Sequence, residues 1–442
     1  MSAAEFAIPW QEYGNAARAS LGSYRLGRVK QVVGLLIEGD GPNSSIGELC
    51  DVLPMEGPSI KAEVVGFREK SVLLMPLGPV KGIHPGSRII TKGQAENIPV
   101  GDLLLGRVIG PMGEPLDGLP PARLRETAPL HADPINPMHR RRIDRPLDLG
   151  VRAINGLLTI GRGQRVGIFS GSGVGKSTLL GMMARYTEAD VNVIGLVGER
   201  GREVTEFIDN VLGPSGMKRS VVVAATSDQP PLLRLRAAFV ATTIAEYFRS
   251  RGKQVLLLMD SVTRVAMAQR EVGLARGEPP TSRGYPPSTF MLLPRLLERA
   301  GRGQGEGSIT GLYTVLMEGD DLQDPIVDAV RGILDGHIVL SRDLAAANQY
   351  PPIDILGSIS RLMEDLVGQE HRRAAAQLRE MLAVYVKAED MINIGAYVAG
   401  SNPQIDRAIQ LIQLVRDFLK QPVLERSSLD ESVRQLQDIF RI

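Results

Sequence analysis

The sequence predicts a multidomain protein with an N-terminal β-rich domain, a central α/β domain built on a mostly parallel sheet, and a C-terminal α-helical domain. Residues 21–94 contain short apolar runs broken by Gly, Pro, Asn and Asp, the pattern of a small β-barrel or sandwich. Residues 95–368 alternate buried-strand runs with helical segments, which is typical of a parallel sheet covered by helices. In residues 369–442, polar and apolar residues recur at helical spacing. A length of 442 residues also fits about three domains of ~150 residues.

The first 20 residues are polar and contain several alanines, which predicts a short helix or a mobile arm. A frayed terminus and a segment that docks a partner are both compatible with this composition. In the β-rich segment, the predicted strands are Val32–Ile37, Val64–Phe67, Ser71–Met75 and Arg88–Ile90.

Strongly apolar runs mark the strands of the central domain, and amphipathic runs mark the helices of the C-terminal domain. The predicted strands are Val166–Phe169, Val191–Val197, Ser220–Ala224, Val255–Met259 and Ile309–Leu316. The predicted C-terminal helices are Arg372–Met391 and Gln404–Lys420.

The composition excludes several classes of protein. With 51 basic and 50 acidic residues the formal charge is +1, so no overall attraction to nucleic acid is expected. Cys50 is the single cysteine, which rules out an internal disulfide framework and suits a reducing compartment. The first residues lack the pattern of a signal peptide, and no run approaches the ~18 apolar residues of a membrane span. We therefore expect a cytoplasmic protein.

A glycine-rich loop between an apolar strand and a helix predicts a phosphate-binding site. Such a loop offers free backbone N–H groups, a helix N-terminus and a cation, which together bind polyphosphate. Lys176 is expected to reach the β- and γ-phosphates, Ser177 to bind Mg²⁺, and Thr178 to donate to the α-phosphate. The nucleotide-binding residues are predicted to be Gly171, Ser172, Gly173, Val174, Gly175, Lys176, Ser177 and Thr178.

This loop departs from the usual phosphate-loop pattern at one position. Ser170 stands where the pattern has its first glycine. A small residue can replace glycine there if its backbone φ is negative. We therefore expect the loop to bind ATP despite the substitution.

Two acidic residues at strand ends are candidates for the rest of the site. Asp260 follows the apolar run 256–259, and after a phosphate loop such a carboxylate is expected to bind Mg²⁺, through water. Glu199 follows the apolar run 191–197 and Gly198, and it is expected where the carboxyl ends of the parallel strands meet the ligand. It is a candidate for the group that activates water, although its spacing fits a charged loop about as well.

Several long motifs, in order along nearly the whole chain, resemble the ATPases that energise flagellar and injectisome protein export, relatives of the catalytic subunits of rotary ATP synthases. The matching segments are GEPLDG (113–118), PLDLGVRAINGLLTIGRGQR (146–165), residues 161–208, LLLMDSVTRVAMAQRE (256–271), GYPPSTF (284–290), LLERAG (296–301) and DGHIVLSRDLAAANQYPPIDILGSISR (335–361). The resemblance implies a β-barrel, a RecA-like nucleotide domain and a helical C-terminal domain.

The resemblance also implies residue roles. Glu199 matches the catalytic glutamate that polarises the attacking water, and Arg200 matches an arginine near the γ-phosphate. Arg361 matches the arginine finger that a neighbouring subunit inserts, and Tyr350 matches the aromatic residue that stacks on adenine. Without the family, Arg361 reads as a solvated helix residue and Tyr350 as a packed loop tyrosine. A finger that acts in trans implies a ring, expected to be a homo-hexamer.

Two features favour the export branch over the rotary synthases. The acidic stretch through which synthase subunits contact their stalk has no counterpart in residues 369–391, and the phosphate loop ends in Lys-Ser where those subunits usually have Lys-Thr. A flagellar system is the preferred reading, and an injectisome ATPase remains the closest alternative. The expected partners are export-apparatus regulator and stalk proteins, export substrates and their chaperones, with peripheral attachment to the inner membrane at the export gate of the flagellar base.

Three further functions stay as alternatives, each with a feature that speaks against it. A rotary synthase subunit would need the missing stalk-contact segment. A ring-shaped RNA translocase would need aromatic residues interleaved with basic ones, but residues 21–94 contain only Tyr24 and Phe67. A nucleotide-binding scaffold without catalysis would lack Glu199 or Arg361, and both are present.

Overall fold

The structure, a computed structural model, describes residues 24–91, 96–317, 319, 321 and 323–441. The arm predicted over residues 1–20 lies outside the described residues. The chain divides into two compact units, of which the smaller contains the N-terminal β-strands and the larger contains the central sheet and the C-terminal helices.

The N-terminal strands close into an antiparallel barrel in the order β1-β2-β5-β4-β3-β6. These strands are β1 (Arg25–Val33), β2 (Leu36–Asp40), β3 (Leu49–Leu53), β4 (Ile60–Arg68), β5 (Ser71–Pro76) and β6 (Arg88–Thr91). Alternate residues point inward, so Ile37, Val52, Val64, Leu74 and Ile89 are fully buried in the barrel core. The predicted barrel is confirmed.

The prediction of one strand over Val32–Ile37 is wrong. This run contains the end of β1, a turn at Gly34 and Leu35, and the start of β2. Gly34 has a positive φ of 58°, which glycine adopts without strain and which lets the chain reverse. Because every other residue in the run is apolar, its hydrophobicity hides the turn.

The main sheet of the larger unit runs in the order β17-β16-β10-β15-β13-β11-β12-β8. Its neighbours pair in parallel, except that β17 is antiparallel to β16 and the short β14 is antiparallel to β15. The strands are β8 (Val108–Ile109), β10 (Arg165–Ser170), β11 (Val191–Glu199), β12 (Ser220–Thr226), β13 (Gln254–Asp260), β14 (Gly301–Arg302), β15 (Ser308–Leu316), β16 (Gly336–Leu340) and β17 (Ile353–Ser360). A separate pair consists of β7 (Asn97–Val100) and β9 (Glu126–Pro129). The mostly parallel sheet was predicted; β16 and β17 were not.

Helices cover this sheet and continue into the C-terminal region. In chain order they are α1 (Arg152–Leu157), α2 (Lys176–Tyr186), α3 (Gly201–Glu206), α4 (Gly213–Met217), α5 (Pro231–Ser250), α6 (Val262–Arg276), α7 (Pro287–Leu297), α8 (Pro325–Ile333), α9 (Arg342–Ala346), α10 (Met363–Leu366), α11 (Gln369–Asn393), α12 (Pro403–Leu419) and α13 (Leu429–Asp438). The predicted C-terminal helices correspond to α11 and α12. Among the described residues, no helix combines the length and the apolar character needed to cross a membrane.

The C-terminal helices are tied to the central sheet by buried polar contacts. Arg379 on α11 donates to the carbonyls of Leu157 and Ile355 at 2.9 and 2.8 Å. Gln421, just after α12, is nearly inaccessible to solvent and bonds to Gly150 and to the backbone N–H of Arg152. These contacts hold the segment after α12 close to the nucleotide-binding part of the same unit.

Parallel pairing places the carboxyl ends of the central strands at one edge of the sheet. Ser170 pairs with Leu316 and with Leu340, and Asp260 pairs with Leu196 near the end of β11. The phosphate-loop start, Glu199 and Asp260 therefore share the edge at which open α/β sheets bind ligands.

Candidate functional site

The glycine-rich loop leads directly from β10 into α2. Gly173 and Gly175 have φ angles of 78° and 102°, a region that other residues rarely adopt. The side chain of Val174 is buried in the core and anchors the loop, while Ser172 and Ser177 are exposed. The N-terminus of α2 therefore opens toward solvent with free N–H groups, as phosphate binding requires.

Ser170 fits its place at the start of this loop. It is the last residue of β10, and its φ is not positive. Its backbone carbonyl accepts from Met317 at 3.0 Å as the neighbouring strand ends. Glycine is not needed at this position because the chain is still extended there.

Lys176 lies between two carboxylates, the buried Asp260 and the partly buried Glu199. Its Nζ forms an ion pair with Asp260 and lies 3.7 Å from Oε1 of Glu199. Asp260 is only 3% exposed, and its Oδ1 also accepts a 2.7 Å hydrogen bond from Thr314 on β15. An anionic ligand at the loop would meet a lysine whose charge is shared by side chains that the sheet fixes in place.

A β-bulge positions Glu199 at the end of β11. The pairing of β11 with β12 shifts register between Val197 and Glu199, so Gly198 is the extra residue. Gly198 has a φ of 73°, and a Cβ there would lie 2.8 Å from the Cβ of Arg264 on α6. The close packing on Arg264 requires glycine, and the bulge turns the next side chain toward Lys176.

Burial sets the charge state of Glu199. The pKa of Glu199 is raised to about 7. Desolvation by burial is the main cause, the charge of Lys176 partly opposes it, and the nearby Asp260 adds to the rise. A hydrogen bond with Glu199 lowers the pKa of Glu203, which is also paired with Arg200. Glu199 therefore exchanges its proton near neutral pH, where a general base is most effective.

Arg200 pairs with Glu203 rather than with a residue of the phosphate loop. Its side chain is 79% exposed and forms a 2.8 Å ion pair with Glu203, one turn further along α3. The backbone of Arg200 caps α3 and accepts from the N–H of Glu203. The structure brings Glu199 to Lys176 but does not bring Arg200 there.

Tyr350 lies next to the loop, in the connection from α9 to β17. A Cβ on Gly175 would lie 3.7 Å from the edge of the Tyr350 ring. The ring is 45% exposed, so it is not the packed loop residue that the local sequence predicts. The backbone carbonyl of Tyr350 accepts from Gln421 at 2.9 Å, which fixes this segment against the C-terminal region.

Arg361 lies at the opposite end of the sheet from the phosphate loop, next to the amino end of β16. It occupies the turn after β17, so the reading of its position as a helix is wrong, although its side chain is exposed. Ile353 at the start of β17 pairs with Leu340 at the loop edge, whereas Ser360 at its end pairs with Gly336. Because β17 is bulged, this span matches only the four residue steps of β16 from Gly336 to Leu340. At ~3.3 Å per residue, Ser360 therefore lies about 13 Å along the strand direction from the end that bears the phosphate loop, and Arg361 lies one residue beyond it.

Two side chains at the site were missed in the sequence. Thr314 is one of two threonines in the otherwise apolar run 309–316, and it donates to Asp260. Thr310 instead accepts from Gly163, so the sequence alone does not single out Thr314. Arg264 follows Asp260 by one helical turn, and its Nε is buried without a hydrogen-bond partner beside Gly198. No local signal marks Arg264, since its place depends on the packing of α6 against the bulge.

Family models match three consecutive parts of the chain. The beta-barrel domain of the ATP synthase alpha/beta family matches residues 29–93, and the nucleotide-binding domain of that family matches residues 150–360. The C-terminal domain of the type III secretion ATPase EscN matches residues 367–438. The three matches follow the barrel, the central sheet and the C-terminal helices.

Similar proteins span nearly the whole chain. The flagellum-specific ATP synthase of Bacillus subtilis is 55% identical, covering 94% of this chain and 95% of that protein. The type 3 secretion system ATPase of Xanthomonas euvesicatoria is 51% identical, covering 94% of each. The assembled ATPase EscN from the type III secretion system of enteropathogenic E. coli has a TM-score of 0.89 at 48% identity, with 93% of this chain and 99% of that chain covered.

The raised pKa of Glu199 predicts a measurable titration in the nucleotide-free protein. Infrared spectra taken between pH 5 and 9 should lose a protonated-carboxyl C=O band with a midpoint near pH 7, since burial favours the neutral form below that pH. Glu199→Gln should lack this step. A wild-type spectrum identical to that of Glu199→Gln would contradict the effect of burial.

The bulge predicts that Gly198→Ala impairs ATP hydrolysis. A methyl group at a positive φ, 2.8 Å from Arg264, must move the backbone that positions Glu199, and a displacement of ~1 Å can cost about 10²-fold in rate. Steady-state hydrolysis measures the effect. Gly201→Ala is the matched control because no atom lies within 4 Å of its Cβ position, so it should keep the parental rate. Equal rates for the two variants would contradict the role of the bulge.

Proposed function

The chain belongs to the ATP synthase alpha/beta family, among the flagellum-specific and type III secretion ATPases, and from that premise we propose that it hydrolyses Mg-ATP between neighbouring copies of a homo-hexameric ring to energise flagellar protein export. The arrangement of Lys176 between Asp260 and Glu199 carries this proposal. It places a cation for phosphate and a base for water at the carboxyl edge of one sheet.

The phosphate loop is the proposed seat of the triphosphate. The N–H groups of Gly171 to Thr178 would surround the β-phosphate, and Lys176 would leave Asp260 to contact the β- and γ-phosphates. Tyr350 would stack on adenine, because its exposed ring borders Gly175. The segment after α12 supports this wall through the bond from Gln421 to Tyr350.

Ser177 and Asp260 are the proposed residues that hold Mg²⁺, Asp260 through water. The exposed hydroxyl of Ser177 and the carboxylate of Asp260 provide the oxygen ligands that Mg²⁺ prefers, and Mg²⁺ usually takes one or two such groups besides phosphate and water. When bound, the ion would neutralise charge on the β- and γ-phosphates. Thr314 would keep Asp260 oriented when Lys176 turns to the phosphates.

Glu199 is the proposed base for the attacking water. Its Oε1 is buried, has no hydrogen-bond partner and lies next to Lys176, so it can accept a proton from a water at the γ-phosphate. Glu203 would accept a hydrogen bond from the protonated Glu199 and so stabilise the proton there. Arg200 would have to leave Glu203 to approach the γ-phosphate, and its exposure leaves it free to do so.

The distance between the two sheet edges makes the site depend on a second copy of the chain. Arg361 follows the end of β17 that is remote from its own phosphate loop, and it is exposed on a turn that can face a neighbour. In a ring, each copy would offer its loop edge to the Arg361 edge of the next copy, and a sixfold arrangement closes such head-to-tail contacts. The assembled state of the similar EscN supports this reading.

The proposed partners follow from the same family. EscN has been solved in complex with its central stalk EscO, and we propose an equivalent stalk protein for this chain, together with an export regulator, export substrates and chaperones. The proposed location is the cytoplasmic face of the inner membrane at the flagellar base. A role with nucleic acid is not proposed, because the chain has no overall excess of basic residues.

Lys176→Ala and Glu199→Gln should separate binding from hydrolysis. Lys176→Ala should weaken binding of a fluorescent ATP analogue and abolish turnover, since the phosphates lose their main cation. Glu199→Gln should bind the analogue normally but lose about 10²–10⁴-fold in kcat, since the shape remains but the base is lost. Neither variant should restore swimming to a strain that lacks the parental gene. Full hydrolysis by Glu199→Gln would place the base elsewhere.

Mixing experiments should reveal the shared site. Arg361→Ala alone should bind nucleotide normally but lose ~10³–10⁵-fold in turnover, since charge on the transferred phosphoryl group is no longer neutralised. Mixed rings of Arg361→Ala with Lys176→Ala should regain activity, because about one quarter of the sites then join an intact loop to an intact finger. If activity does not recover under conditions that assemble rings, the proposed site between two copies is refuted.

A further inference from the structure

The turn that carries Arg361 is fixed through its backbone. The N–H of Arg361 donates to the carbonyl of Asp335 at 3.1 Å. The exposed guanidinium makes one hydrogen bond, from Nη2 to the carbonyl of Arg331 at 3.3 Å. The place from which Arg361 reaches a neighbouring copy is therefore set mainly by what holds Asp335 and Ser360.

Gln164 holds both of these residues. Its side chain is fully buried, and its Nε2 lies 3.1 Å from the carbonyl of Asp335 and 3.1 Å from Oγ of Ser360. An amide nitrogen has two N–H groups, so it can donate to both acceptors at once. Its Oε1 accepts from Gly161 at 2.8 Å, which fixes the orientation of the amide.

The neighbouring contacts leave this turn little freedom. Asp335 is held by the bidentate guanidinium of Arg165, at 3.1 and 3.2 Å. Ser360 also donates to the carbonyl of Thr159 at 2.8 Å. A Cβ on Gly336 would lie 2.6 Å from the carbonyl oxygen of Ile359, so the backbone next to Arg361 packs directly on that glycine.

We propose that Gln164 is a positioning residue for the arginine finger, acting through Asp335 and Ser360 to fix where Arg361 is presented to the neighbouring copy. The inference rests on the proposed function, in which Arg361 completes the site of another copy. Gln164 immediately precedes β10, whose far end is the phosphate loop of its own chain. Its sequence position suggests a role in the chain's own ATP site, whereas its contacts assign it to the site of the neighbour.

The substitution Gln164→Met tests this assignment because it keeps the length of the side chain and removes its polar atoms. A finger displaced by ~1 Å should lower kcat about 10²-fold, while binding of a fluorescent ATP analogue by the variant stays parental. Thermal unfolding and light scattering in the presence of Mg-ATP verify that the variant folds and forms rings.

Mixed rings show which site has been damaged. Gln164→Met mixed with Lys176→Ala should regain activity, because the Lys176→Ala chain supplies an undisturbed finger to an intact phosphate loop. Gln164→Met mixed with Arg361→Ala should gain nothing, because every finger in such a ring is defective. The opposite pattern, with recovery only alongside Arg361→Ala, would place the defect in the phosphate loop of the variant's own chain and overturn the proposal, as would parental turnover of Gln164→Met alone.

Two further variants keep the result interpretable. Ser360→Ala removes one partner of Gln164 near the surface, and it should show the same mixing pattern with a smaller loss, even if Gln164→Met fails to fold. Gln254→Met is the matched control, since Gln254 begins β13 at the same sheet edge and bonds to Glu306 and Ser308, not to the finger turn. It should keep parental turnover; a Gln254→Met defect with the mixing pattern of Gln164→Met would overturn the specific role of Gln164.

The pair Arg361→Ala with Lys176→Ala separates this proposal from the function on which it rests. If that pair fails to recover activity, the shared site is refuted, and the role of Gln164 falls with it. If that pair recovers and the Gln164→Met pair with Lys176→Ala does not, the role of Gln164 alone is refuted.

Discussion

The parallel central sheet constrains the arrangement of the proposed site residues, because it places the phosphate loop and Arg361 at its opposite ends. The carboxyl edge bears the phosphate loop, Glu199 and Asp260. The opposite edge bears Arg361, at the end of an antiparallel strand that runs away from the loop. Hydrogen-bonded strands hold these two ends apart, so under the proposed function a site that needs both of them would be built from two copies, which would make assembly a condition for turnover.

At the phosphate loop, the electrostatics depend on Lys176, which lies near two carboxylates in different surroundings. Asp260 is ion-paired with Lys176 and accepts from Thr314, so its charge is well compensated. Glu199 lies farther from the lysine, and its Oε1 lacks a hydrogen bond, so burial raises its pKa to about 7. Two neighbouring carboxylates thus acquire different properties from their surroundings, one suited to hold a cation and the other to exchange a proton. The difference comes from the sheet, which places one strand end closer to the loop than the other.

The features that could be predicted from sequence are those that depend on residues close together in the chain. The phosphate loop and the strand ending in Asp260 combine apolar runs with particular residues at fixed spacing, and the structure places them together. The hairpin at Gly34 was missed because a uniform apolar run hides the turn. Strand β17 was missed because this edge strand alternates weakly, and β16 because it has only five residues. Thr314, Arg264 and the bulge at Gly198 depend on which strands and helices become neighbours, and local sequence does not determine that. Arg361 shows most clearly what local sequence cannot predict. Its proposed role came only from family resemblance, and the residues around it suggested a helix.

Strand β10 connects the phosphate loop with the turn that carries Arg361. The phosphate loop starts at its carboxyl end, and Gln164 precedes its amino end and bonds to the turn of Arg361. A strand in the middle of a sheet is held by ladders on both sides, here β15 and β16, and so moves as part of a rigid body. Under the proposed function, the loop that a chain offers to one neighbour and the finger that it offers to the other would therefore be fixed to the same rigid element. In such a ring, a displacement of one would also displace the other, which would give successive sites a direct mechanical connection through each copy.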